Sequence, residues 1–319
     1  MSSTEREALP DYFSPFRDIH NLSLLSFHTL VDHAVLNYRT DIPDIFTPSK
    51  RVTLVSTLWR RAAGVNTQEL KDTGAYKAFS IFRTLISCYD DYLDDSSHTE
   101  IIYLSDVGRA SLKDKDESFN NIVSDLVRTI MQSPSSRQEK MRVCSQLNIF
   151  RKEQLELFNS SEIGVNLDTA SFSDVVQYRE FSSGPTMAMM AVVHGIFFPN
   201  VPIEVKSKLE QVFYLLGVGG QYVDDLSDWW KDDGHTLNLF SAALNENIAE
   251  RERARMYRRD REGEQIRVSQ LKKLAPISFT MMNKKYHECT SRMPQDGRFQ
   301  DFKLVLDLMY GYRLLENVF

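Results

Sequence analysis

Little in this chain of 319 residues suits a disulfide scaffold, a membrane span or a nucleic-acid surface. Its 3 cysteines, Cys88, Cys144 and Cys289, are widely spaced and odd in number. Neither a disulfide framework nor a zinc knuckle is indicated, and a reducing compartment fits best. Lysine and arginine (38) are outnumbered by aspartate and glutamate (44), and no basic block stands out. With a net charge of −6, no nucleic acid is expected as a partner. The longest apolar run, Met187 to Val193, ends at His194 and is far too short to span a bilayer. The N-terminus, MSSTEREALPDYF, has charges where a secretory leader needs an apolar core. A soluble, cytoplasmic chain without a transmembrane segment is expected. Glycine (13) and proline (10) are sparse, and extended β-type alternation is hard to find.

What is present is apolar spacing of three and four residues, which predicts an all-α protein of roughly ten or more helices. With no internal repeat and no linker, one domain over 1–319 is expected. The predicted helices are Leu22–Leu36, Lys50–Ala63, Thr67–Asp95, Phe119–Gln132, Gln138–Phe158, a segment from Asp174 to Phe197, Ile203–Asp228, Val268–Arg292 and Asp301–Asn317. Thr40–Ser49, 104–120 and Asn159–Leu167 read as loop or frayed helix, and Thr169-Ala-Ser-Phe172 as a helix start. Pro185 lacks an N–H and Gly184 precedes it, so a break is expected there; an ordinary loop between two core helices is the alternative. Trp229–Leu239 reads as the rim loop of a site, and the charged stretch Glu246–Arg267 as a solvated helix or a mobile lid.

Two acidic clusters stand out. Ser87-Cys-Tyr-Asp-Asp-Tyr-Leu-Asp-Asp-Ser-Ser97 packs Asp90, Asp91, Asp94 and Asp95 behind an apolar helical run. Positions three and four apart share a helix face, and like charges that close repel unless a cation sits among them. Mg²⁺ is the usual guest where carboxylates hold a metal together with phosphates. A solvated acidic helix end is the plain alternative. Asp90-Asp91-Asp94 and Asp91-Asp94-Asp95 are both credible ligand sets, decided by helix rotation.

The second cluster, Gly219-Gly-Gln-Tyr-Val-Asp-Asp-Leu-Ser-Asp-Trp-Trp-Lys-Asp-Asp233, places Asp224, Asp228 and Asp232 at successive four-residue steps, flanked by Asp225 and Asp233. Two such clusters, each ending an apolar helix, can face each other across a cavity mouth if the helices run antiparallel. Metal at the rim and apolar residues below suit a substrate with a diphosphate head and a hydrocarbon tail.

These residues resemble the class I terpenoid (isoprenoid) synthase superfamily. Asp90-Asp-Tyr-Leu-Asp94 reads as DDxxD, and Gln221-Tyr-Val-Asp-Asp-Leu-Ser-Asp228 is similar to the QxxDDxxD of trans-prenyl diphosphate synthases. Asp224, Asp228 and Asp232 also occupy the spacing of the cyclases' NDxxSxxxE motif, with aspartate at each position. The branch most resembled includes tetraprenyl-curcumene synthases, with a looser similarity to fungal humulene-forming cyclases. The resemblance implies a single-domain isoprenoid-synthase helical bundle around a deep apolar cavity. It also implies three Mg²⁺ ions held by Asp90, Asp91, Asp94, Asp224, Asp228 and Asp232, and a prenyl diphosphate substrate. A homodimer is left open.

Within that superfamily the residues favour a cyclase. Chain-elongating synthases carry a basic GKxxR near the N-terminus; Arg60 and Arg61 in LWRRAAG are the nearest residues and lack the pattern. Arg179 lies 45 residues before Asp224, near the separation of the cyclases' diphosphate-sensing arginine, and the Ser182-Ser183-Gly184 break follows it. Arg179, Ser183 and Gly184 are therefore the expected catalytic set, the guanidinium suiting phosphate oxygens by its planar fork. A salt bridge from Arg179 to Glu180 or Asp174 is the alternative. Lys231, Tyr312 and Arg313 are expected around the diphosphate, and Phe82, Tyr89, Phe181, Phe213 and Tyr222 along the hydrocarbon, each aromatic being equally at home in a core. The expected reaction turns farnesyl diphosphate into a sesquiterpene hydrocarbon such as humulene. Rival readings are trans-prenyl or head-to-head prenyl synthases. More distant is a di-iron carboxylate oxidase, for which Asp95-Ser-Ser-His98 and Asp232-Asp-Gly-His235 have the spacing but not the Glu-x-x-His residues.

Overall fold

The computed structural model describes residues 50–65, 74–75, 77–79, 81–82, 85–86, 114–164, 170–232, 237–260, 266 and 268–315. The expectations for Leu22–Leu36, Thr40–Ser49, Cys88, Tyr89 and the Asp90–Asp95 cluster lie outside the described residues. Among the described residues there are helices and no strand, as the spacing of apolar residues predicts. In chain order the helices are α1 (Lys50–Ala63), α2 (Asp114–Met131), α3 (Arg137–Gly164), α4 (Phe172–Gly195), α5 (Ile203–Asp232), α6 (Leu239–Asn245), α7 (Ile248–Arg259), α8 (Val268–Leu274), α9 (Pro276–Ser291) and α10 (Gln300–Leu315), with a 3₁₀ turn at Gly297–Phe299. Residues 75, 77–79, 81–82 and 85–86 are also helical, and Ala75, Ala78, Phe79, Phe82 and Leu85 turn one buried face inward.

α1 has the predicted limits. α2 starts at Asp114 rather than Phe119, its first turn being Asp114-Lys-Asp-Glu117, acids that the positive end of a helix favours. α3 continues past Phe158 to Gly164, because Asn159-Ser-Ser-Glu contains no residue that forbids helix. Pro276 splits the predicted Val268–Arg292 helix in two, at the first-turn position proline tolerates.

α5 is the axis. Leu209, Val212, Phe213, Leu215, Leu216, Val218, Tyr222, Val223, Leu226 and Trp229 are all buried, which wraps apolar surface around most of its circumference. It packs on α1, α4, α6, α9 and α10, most extensively on α4. The two run antiparallel: Gly184 meets Tyr214, Ser183 meets Gly217, and Arg179 meets Asp225. The rim loop expected at Trp229–Leu239 begins later, since α5 continues to Asp232 with Trp229 fully buried.

The charged stretch expected as a solvated helix or lid is anchored through Glu250, among other contacts. Glu250 on α7 is buried and accepts from the Ile277 N–H at 2.9 Å, the Ser278 N–H at 2.8 Å and the Ser278 hydroxyl at 2.8 Å. These are the donors that the start of α9 leaves without helical partners, so a carboxylate from another helix caps it. No helix among the described residues is long and apolar enough to cross a membrane.

Candidate functional site

α4 starts where Ser171 accepts from the Asp174 N–H at 3.1 Å, a serine N-cap as the sequence suggests. From there it runs unbroken to Gly195, and the expected break at Ser182-Ser183-Gly184-Pro185 is absent. Pro185 deprives one carbonyl of a helical donor, that of Phe181, whose residue is 56% exposed. A proline on the solvated side of a helix can be carried without interrupting it. Gly184 has a different duty, because a Cβ there would come within 3.0 Å of the Tyr214 ring on α5. A Cβ on Gly217 would likewise fall within 3.0 Å of the Ser183 carbonyl oxygen and Met187. The glycines allow close approach of two helices, and the Ser183 carbonyl lies at that contact.

One turn and more further along, the contact becomes ionic. Arg179 donates through Nε to Asp225 Oδ2 at 3.0 Å and through Nη2 to Asp225 Oδ1 at 2.7 Å, with Nη2 also donating to the Leu237 carbonyl. The partner is neither Glu180 nor Asp174, the two acids nearest in sequence. Glu180 is engaged by Arg292 at 3.4 Å, and Asp174 contributes its backbone N–H to the Ser171 cap. Asp225 also accepts from Gln221 Nε2 at 3.0 Å and the Leu239 N–H at 3.0 Å. Its backbone carbonyl accepts from Asn238 Nδ2 at 2.8 Å, while Asn238 Oδ1 caps α6 through the N–H groups of Phe240 and Ser241. One buried carboxylate thus ties α4, α5 and the start of α6 together.

Consecutive residues on a helix point about 100° apart, and Asp224 and Asp225 divide accordingly. Asp224 is exposed, Asp225 is 1% exposed, and Asp228 is half-buried. Because α5 extends through Asp232, positions 224, 228 and 232 share one face at four-residue steps. Lys231 and Asp232 belong to its last turn, and Tyr312 and Arg313 to that of α10; their side chains lie outside the described residues. The donor set on this face fits Mg²⁺ in kind: hard carboxylate oxygens in small number, leaving coordination sites for water and phosphate. Among the described residues no three or more His, Cys, Asp or Glu side chains converge on a metal position.

The expected aromatic set separates. Phe82 is fully buried with its ring centroid 6.1 Å from that of Phe150. Phe213 is buried 5.4 Å from Phe302, and Tyr222 is buried with its hydroxyl pKa pushed far up by burial and then by the nearby Glu180 carboxylate. Phe181, on α4, is 56% exposed. The apolar packing of α4 on α5 takes the opposite side of the helix.

The roles of Asp225, Gln221, Leu237 and Asn238 were not anticipated. The signal was present in the Asp224-Asp225 pair itself, since adjacent residues on a buried helix cannot both face solvent.

No protein-family model and no curated protein sequence matches the chain. Solved structures do. A polyprenyl synthetase from Streptomyces coelicolor A3(2) is 14% identical over 91% of this chain and 97% of its own, with a TM-score of 0.55. A geranylgeranyl pyrophosphate synthetase from the archaeon Geoglobus acetivorans is 15% identical over 90% of both chains, with a TM-score of 0.52. Another from Pyrococcus horikoshii Ot3 is 16% identical over 90% of this chain and 93% of its own, with a TM-score of 0.51. At these identities the similarity shows the fold, that of the all-helical isoprenoid synthases.

Proposed function

We propose that the chain, as one α-domain over residues 1–319, is a Mg²⁺-dependent class I terpene cyclase acting on a prenyl diphosphate, with farnesyl diphosphate as the preferred substrate. The observation that supports this reading is the Arg179–Asp225 pair, whose aspartate stands in the Asp224–Asp228 motif at one end of the α4–α5 contact. Asp224, Asp228 and Asp232 would hold metal from one side, and Asp90, Asp91 and Asp94 from the other. Bound there, Mg²⁺ would supply Lewis-acid stabilisation of the departing diphosphate. Arg179, with Lys231, Tyr312 and Arg313, would bind diphosphate oxygens and keep the leaving group in place. Phe82 and Tyr222, with Tyr89, would present apolar and aromatic surface that excludes water and folds the hydrocarbon for ring closure. The product would be a cyclic hydrocarbon formed by loss of a proton, humulene being one example.

The structural neighbours, a polyprenyl synthetase and two geranylgeranyl pyrophosphate synthetases, favour a second reading, a prenyl diphosphate synthase that joins isopentenyl diphosphate to an allylic partner. That reaction needs a second cationic pocket. Arg60 is 3% exposed and Arg61 is ion-paired to Asp301 at 3.1 Å, so neither offers an exposed guanidinium for it.

Incubation with Mg²⁺ and geranyl, farnesyl or geranylgeranyl diphosphate, with and without isopentenyl diphosphate, separates the two. Hydrocarbon released from a single prenyl diphosphate supports the cyclase. A longer prenyl diphosphate formed only when isopentenyl diphosphate is present moves the assignment to the synthase, and turnover of none removes both. Asp91→Ala and Asp224→Ala are expected to abolish turnover with the helical circular dichroism unchanged; full activity in either removes the metal assignment.

A further inference from the structure

We propose that Asp225, although it stands inside the acidic motif Asp224-Asp225-Leu-Ser-Asp228, is not a metal ligand but the positioning residue for Arg179; this deepens the reading above and rests on it. An ionised carboxylate offers about four lone-pair sites. Asp225 has four N–H donors on them: Arg179 Nη2 and Gln221 Nε2 on Oδ1, Arg179 Nε and the Leu239 N–H on Oδ2, at 2.7–3.0 Å. At 1% exposure it has neither an unused lone pair nor an open side from which a cation could approach. Asp224 and Asp228, on the outer face, have the exposure a metal ligand needs.

Two of these four bonds determine where Arg179 stands. A guanidinium has five N–H donors in one rigid plane. Fixing Nε and Nη2 on one carboxylate, with Nη2 also on the Leu237 carbonyl, sets that plane. A long flexible side chain would otherwise surrender its rotamer entropy on each encounter with a ligand. Asp225 removes that loss in advance. Gln221, one turn earlier on α5, holds the carboxylate rotamer through its Nε2.

The test is calorimetric binding of inorganic diphosphate with Mg²⁺ by the full chain. Asp225→Asn keeps the volume but turns an NH₂ towards the guanidinium. It should weaken diphosphate binding roughly 10- to 100-fold, the range for partners that orient a binding group. The Mg²⁺ concentration needed for binding should stay unchanged, whereas Asp224→Asn raises it. Arg179→Lys keeps the charge and loses the fork, and should weaken binding comparably; the double variant should be little worse than either single one. Should Asp225→Asn fail to fold, as melting curves will show, Arg179→Lys and Asp225→Glu serve in its place. Equal or tighter diphosphate binding in Asp225→Asn, or in Arg179→Lys where that variant stands in, would overturn the assignment, as would a raised Mg²⁺ requirement. Diphosphate binding that depends on Asp225 without turnover of any prenyl diphosphate keeps the positioning role and removes the cyclase. Wild-type turnover in Asp225→Asn does the reverse, and a wild-type chain that binds no diphosphate removes both.

Discussion

The two ends of the α4–α5 contact are built on opposite principles. Around Gly184 and Gly217 the two helices come close on the Tyr214 ring, Met187 and the Ser183 carbonyl; around Arg179 and Asp225 a buried charge pair replaces that packing. The apolar end gains from area and dispersion and tolerates any environment without water. The ionic end gains little net stability, because taking two charges out of water offsets most of their attraction. That pair lies at the end that carries Asp224 and Asp228.

The largest expected effect comes from breaking the ionic end on one side only. Asp225→Ala leaves Arg179 buried without its carboxylate and should destabilise the protein by about 3–5 kcal/mol in urea unfolding. A loss below ~1 kcal/mol would mean that solvent reaches the pair. At the apolar end, Gly217→Ala drives a Cβ into the Ser183 backbone carbonyl and should lose about 1–3 kcal/mol. Gly184→Ala meets only the Tyr214 ring, a side chain that can shift, and should lose less in the same measurement.

His194 sharpens the comparison, because it lies in the apolar part of α4, ringed by Trp59, Phe79 and Phe198 at centroid distances of 4.7, 5.3 and 5.4 Å. Burial drives its pKa down to about 3; the nearby Arg60 charge adds to this, and the Ala75 backbone opposes it. The unfolded chain takes up this proton near pH 6.5 and the folded protein only near 3. The contribution is therefore complete above pH 6.5 and falls as pH drops towards 3, by at most about 1.4 kcal/mol per pH unit. Thermal melts between pH 7.5 and 5 should show a shallower pH dependence in His194→Phe; identical slopes would mean that His194 takes up its proton at the same pH in the folded and unfolded states. The smallest effect is a gain: a Cβ on Gly220 meets nothing within 4 Å, so Gly220→Ala should stabilise α5 by about 0.5–1 kcal/mol.

The sequence by itself determined the fold class, the limits of α1 and the Ser171 start of α4. These depend on local patterns, namely apolar spacing, capping residues and the rarity of glycine and proline. The face shared by Asp224, Asp228 and Asp232 was legible for the same reason, since a period of 3.6 residues is all it requires. Where local chemistry leaves two outcomes open, only the tertiary structure decided. Gly184-Pro185 reads as a break in isolation, yet solvent beside Phe181 and the Tyr214 ring against Gly184 make it a continuous helix with a close contact. Arg179 could have paired with either acid near it in sequence, yet it meets Asp225, 46 positions away. That choice depends on the antiparallel register of α4 and α5, which the packing of Gly184 and Gly217 sets and which no spacing within either helix encodes.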